Sequence, residues 1–91
     1  MKKRLEACFS GSVQGVGFRY TADKLARHFE VSGYVRNLKN GQVQIIAEGE
    51  ETVLLDFLKA VRESSMEPLI RNIEVQWKEA EGNFPSFGIA Y

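Results

Sequence analysis

Hydrophobic and polar positions along the chain fall into successive blocks whose period alternates between two and about 3.6 residues. Leu5, Ala7 and Phe9 alternate with Arg4, Glu6, Cys8 and Ser10, which predicts a half-buried strand. After a glycine-rich stretch, Phe18, Ala22, Leu25, Ala26 and Phe29 recur at helical spacing, predicting a helix to about Glu30. Ser32-Gly33 breaks it, and Gly33 to Asn37 reads as a second strand. Asn40-Gly41 is a strong hairpin signal, so Val43, Ile45 and Ala47 form a third strand returning antiparallel to the second. Val53, Leu54, Phe57, Leu58 and Val61 make the stripe of a second helix, with Glu50 and Glu51 at the start where the helix dipole favours them. Ile73, Val75 and Trp77 give a fourth strand, with Trp77 at the spacing of a core residue. Phe87, Ile89 and Tyr91 suggest a short final strand.

The order βαββαβ with an appended strand predicts an α+β fold: a ferredoxin-like split β-α-β sandwich. Two helices, each with one apolar stripe, cover one face of a four-stranded, mainly antiparallel sheet. A helical crossover makes strands one and two parallel, and strand three fits between them. The expected spatial order is 4-1-3-2, with strand one central. No repeat or linker interrupts the pattern, so residues 1–91 are read as a single domain.

Composition narrows the function classes. Twelve basic and twelve acidic side chains cancel, which argues against a nucleic-acid binder working through bulk charge. Cys8 is the only cysteine, leaving no intrachain disulfide and no multi-cysteine metal site. It is read as a structural thiol, since no cation adjoins it in sequence to lower its pKa. No apolar run approaches the roughly 20 residues of a membrane span. Met1-Lys2-Lys3-Arg4 lacks the apolar core of a signal peptide. The expected location is the cytoplasm, without membrane or nucleic-acid partners, as a monomer.

The candidate chemistry sits in Gly11-Ser12-Val13-Gln14-Gly15-Val16-Gly17-Phe18-Arg19. A strand turning through glycine-rich backbone into a helix start presents free N–H groups and the positive end of the helix dipole, which suits a phosphate. Arg19 adds a permanent forked cation. Glycine-rich turns also serve merely to shape a connection, and the residues alone leave both readings open. His28, about 13 Å along the helix from Arg19, is read as an exposed helix-end residue. Topology carries the loop and Asn37 to the same edge of the sheet, because strands one and two run the same way. Asn37 either faces the cradle or simply prepares the hairpin.

Other phosphate motifs fail. Tyr20 stands where a dinucleotide fingerprint needs its third glycine, and no Gly-Lys-Ser/Thr is present. The cradle has no evident nucleophile, metal cluster or general acid; Ser12 has no recognisable base beside it. If the chain is an enzyme, its substrate needs a good leaving group. A carboxylate leaving a mixed carboxylic–phosphoric anhydride qualifies, and catalysis would consist of positioning and charge stabilisation.

The stretch Gly11-x-Val13-Gln14-Gly15-Val16-Gly17-Phe18-Arg19 resembles the signature of the acylphosphatases. Gly33-Tyr34-Val35-Arg36-Asn37-x-x-Asn40-Gly41-x-Val43, running on to Glu48-Gly49, resembles that family's second signature. The resemblance implies hydrolysis of acyl phosphates to a carboxylate and inorganic phosphate without metal or cofactor, with phosphate or another oxyanion as product or inhibitor. It implies Arg19 as the catalytic arginine and Asn37 as the water-orienting asparagine. The phosphate-binding loop corresponds to Ser12, Val13, Gln14, Gly15, Val16, Gly17 and Phe18, together with Arg19. Ser12 stands where a basic residue is frequent, Asn40 replaces the usual aspartate, and Ala90 stands where an arginine is frequent. The alternative function is a noncatalytic phosphate-binding regulatory module on the same fold.

Overall fold

A computed structural model describes residues 1–91. The elements are β1 (Lys2–Gly11), α1 (Phe18–Ala26), β2 (Ser32–Asn37), β3 (Val43–Glu50), α2 (Glu51–Arg62), a 3₁₀ turn (Glu67–Leu69), β4 (Ile70–Glu79) and β5 (Phe87–Ile89). The sheet order is β4-β1-β3-β2-β5. The expected 4-1-3-2 arrangement is therefore present, and β5 extends it as a fifth strand parallel to β2. Both helices pack on one face, where Leu5, Ala7 and Phe9 of β1 meet Val35, Ile45 and Ala47, Ala22 and Ala26 of α1, and Leu54, Phe57 and Val61 of α2.

Two elements differ from the sequence expectation. α1 ends at Ala26 rather than near Glu30. The chain tightens there into i→i−3 bonds, His28 N–H to Leu25 O and Phe29 N–H to Ala26 O. Phe29 still reaches the core, its ring 5.7 Å from that of Phe57, so the apolar spacing outlasts the helix. His28 is exposed, as expected. β4 is the second difference. Trp77 lies opposite Leu5 and Val75 opposite Ala7, on the core side of the sheet. Yet Trp77 is 41% and Val75 38% exposed, because β4 is the outer strand and the helical layer stops short of it. The alternation identifies the face of the strand correctly, but not its cover.

The other face of the sheet is polar and partly strapped by the 80–86 segment. Glu48 is 4% exposed there and accepts bonds from the Glu81 and Gly82 N–H groups and from Arg4 Nε, each 2.9 Å. Burial alone disfavours its charge, but these donors outweigh it and hold the carboxyl below its usual pKa. Arg4 also lies over the Phe84 ring, which meets Tyr34 edge-on. Cys8 sits half-buried on this face, and burial pushes its thiol pKa up, which favours an inert role.

Candidate active site

The loop between β1 and α1 is pinned at both ends and open between them. Val13 is 1% exposed, and Phe18 packs its ring 4.9 Å from Phe9. Gly15, Val16 and Gly17 stand exposed between these anchors. Gly17 caps α1 at φ 83°, a left-handed conformation in which a side chain is strained. At the loop's start, a Cβ on Gly11 would lie 2.2 Å from the Leu69 carbonyl oxygen. That contact brings the chain close enough for Ser12 N–H to donate to Leu69 O at 3.0 Å.

Beyond Ser12, the amide N–H groups from Val13 through Tyr20 donate to no acceptor in the chain. They combine the unpaired donors of a helix start with those of an irregular loop. Arg19 stands in the first turn of α1. Its Nη1 donates to Ala90 O at 3.4 Å, and its guanidinium lies 4.9 Å from the Tyr91 ring centroid. No carboxylate of the chain pairs with it. Its charge is therefore not neutralised within the fold.

Asn37 is the last residue of β2 and is exposed, with no hydrogen bond to its side chain. A concave site of about 170 Å³ is lined by Val13, Gly15, Gly17, Phe18, Arg19 and Asn37, with Tyr20, Ile89 and Tyr91. The two sequence segments thus meet, as the parallel run of β1 and β2 requires. Of the remaining expected residues, Val16 is exposed at the loop tip and Ser12 has its N–H engaged with Leu69.

Gln14 has a different task. Its side-chain Nε2 donates to Leu38 O at 2.8 Å and to Gln42 O at 2.9 Å, tying the loop to the β2–β3 hairpin immediately beyond Asn37. Asn40 shapes that hairpin by accepting the Gln42 N–H on Oδ1 at 3.0 Å, a bond an aspartate would make equally well. Tyr20, Ile89 and Tyr91 were absent from the sequence reading of the site. Tyr20 follows Arg19 directly in α1, whereas Ile89 and Tyr91 show only the apolar alternation of the last strand, which does not place that segment beside Arg19.

The sequence model of the family described as Acylphosphatase matches residues 5–89. The chain belongs to the acylphosphatase family. It is 47% identical over 87 residues to an acylphosphatase of Archaeoglobus fulgidus, covering 96% of this chain and 97% of that one. It is 48% identical over 81 residues to an acylphosphatase of Pseudothermotoga lettingae, covering 88% and 89%. The crystal structure of acylphosphatase from Bacillus subtilis superposes with a TM-score of 0.89 at 34% identity, covering 98% of this chain and 99% of that one. Membership in the acylphosphatases identifies the chain as a hydrolase of acyl phosphates, and the fold agrees with theirs. No helix is long and apolar enough to cross a membrane.

Proposed function

We propose that the pocket hydrolyses acyl phosphates by direct attack of water on phosphorus, with no metal ion and no covalent intermediate. Arg19 and the loop N–H groups hold the non-bridging phosphoryl oxygens and stabilise the charge that grows on them in the transition state. The side-chain oxygen of Asn37 accepts a hydrogen bond from the attacking water and fixes its position. As the new P–O bond forms, the bond from phosphorus to the acyl oxygen breaks and its electron pair leaves with the carboxylate. The proton of the water passes to solvent. A carboxylate is stable enough to leave unprotonated, so the reaction needs no general acid.

The observation that carries this reading is Arg19, a cation without a carboxylate partner, beside a run of unbonded N–H groups in a pocket that includes Asn37. The lining residues offer no carboxylate, imidazole or thiolate side chain to hold a cation, which supports the metal-free route.

The test is phosphate release from a synthetic aryl acyl phosphate, measured with and without chelator. Turnover undiminished by chelator is expected. Phosphate binding without turnover would make the protein a regulatory module instead, and turnover that needs added metal would overturn the mechanism.

A further inference from the structure

Asn37 and the β1–α1 loop sit on strands that do not touch, because β3 lies between β1 and β2. The residue just before β3 spans that gap. The β1–β3 ladder stops at Phe9 opposite Val43, and continuing its register sets Ser10 opposite Gln42. There a side chain takes over from the ladder. Gln42 Nε2 donates to Ser10 Oγ at 2.9 Å and, at a longer 3.5 Å, to Glu74 Oε1 of β4. The rest of Gln42 serves the hairpin. Its carbonyl accepts the Leu38 N–H at 2.8 Å, its N–H donates to Asn40 Oδ1 at 3.0 Å, and its Oε1 accepts from Asn40 Nδ2 at 2.9 Å. The Gln14 side chain ends on the same carbonyl, at 2.9 Å. Every polar atom of Gln42 is therefore bonded, with partners on both sides of the gap.

We infer that Gln42 is a positioning residue for hydrolysis: it clamps the β2–β3 hairpin onto the end of β1 and so holds Asn37 in place against the loop. The inference rests on the reading of Asn37 as the residue that orients water. Asn37 pairs with Val43 in the last step of the β2–β3 ladder, and its side chain has no hydrogen bond of its own. Its placement is therefore only as firm as the turn that follows it. Gln42 anchors both arms of that turn, the outgoing one through Leu38 N–H and the returning one through Ser10, which immediately precedes the loop. Gln42 does not line the pocket, so its effect on the chemistry is indirect. A misplacement of about 1 Å between reacting groups costs up to roughly a hundredfold. Gln14 still tethers the hairpin when the Gln42 side chain is removed, so the expected loss is smaller, about tenfold in kcat.

The experiment is a double-mutant cycle on the full chain: steady-state hydrolysis of an aryl acyl phosphate by wild type, Gln42→Ala, Asn37→Ala and the double variant. Gln42→Ala should lower kcat about tenfold with KM within about twofold of wild type, the mark of lost positioning rather than lost binding. In the Asn37→Ala background the same substitution should lower kcat less than about twofold, because a residue acting through Asn37 has nothing left to position. Ser10→Ala removes the acceptor without altering the turn. Taken through the same cycle it should give the same non-additive pattern, whether or not Gln42→Ala folds. Equal kcat losses in the two backgrounds overturn the inference, since Gln42 then supports the fold without acting through Asn37. A folded Gln42→Ala protein with wild-type kcat overturns it as well. An Asn37→Ala protein that itself keeps wild-type kcat is a separate result: it refutes the reading of Asn37 and takes this inference with it.

Discussion

Gln14 is the residue through which the β1–α1 loop and Asn37 share one geometry, and Gln14→Ala separates them. Two hydrogen bonds are lost, at 2.8 Å to Leu38 O and 2.9 Å to Gln42 O. Each contributes about 0.5–1.5 kcal/mol net, and the loss is larger where an acceptor is left alone. Neither carbonyl is left alone here. Leu38 O still accepts the Gly41 N–H at 3.2 Å, and Gln42 O still accepts the Leu38 N–H at 2.8 Å. The expected destabilisation is therefore at the low end, about 1–2 kcal/mol. In a domain of this size, each kcal/mol lowers Tm by about 4–8 °C. Activity should suffer more than stability. Leu38 adjoins Asn37, and a misplacement of about 1 Å between phosphoryl group and water can cost up to roughly a hundredfold. Urea denaturation and steady-state hydrolysis of an aryl acyl phosphate, on the same preparation, read the two effects. A variant that loses the expected stability but keeps wild-type kcat and KM would refute the positioning argument, leaving Gln14 a structural tie only.

Further outcomes follow from the contacts of Arg19 and Glu48. Tyr91→Ala removes the ring beneath the Arg19 guanidinium, a contact of about 0.5–1 kcal/mol at an exposed site. KM should rise about two- to fivefold with kcat little changed, and Tyr91→Phe should restore it. A Tyr91→Ala enzyme with unaltered KM would show that the ring does not hold Arg19. Glu48 has a lowered pKa in the fold. Its stabilising contribution is therefore complete above the ordinary carboxyl value of about 4.3 and is lost as pH falls through the lower folded value. Glu48→Gln should cost about 1–3 kcal/mol near neutrality, and the difference between the two proteins should shrink on acidification. Parallel stability–pH curves for wild type and Glu48→Gln would contradict the assignment.

Much of this arrangement is legible in the amino-acid order, and the rest fails for identifiable reasons. The alternation of Leu5, Ala7 and Phe9, the Asn40-Gly41 turn and the α2 stripe suffice for the topology. Topology in turn brings Asn37 to the β1–α1 loop. Periodicity reports which way a side chain faces but not what lies over it. That is why Trp77 reads as core and is found half-exposed on an outer strand. Glu48 reads as a surface position of β3, yet the 80–86 segment folds over it and supplies two N–H donors. In the site, Gln14 reads as one more loop residue because its acceptors are backbone carbonyls 24 and 28 positions away. Ile89 and Tyr91 enter the pocket only because β5 adds beside β2, a placement the apolar pattern of a three-residue strand does not dictate.

The central claim is that Arg19 and the loop hold the phosphoryl group while Asn37 acts on the attacking water. Steady-state kinetics of Asn37→Ala with an aryl acyl phosphate test it most directly, because Asn37 caps an exposed strand end and its loss leaves the core intact. A fall in kcat of about a hundredfold or more is expected with KM close to wild type, since positioning of the nucleophile is lost while phosphate binding is kept. A kcat within a few-fold of wild type would contradict it.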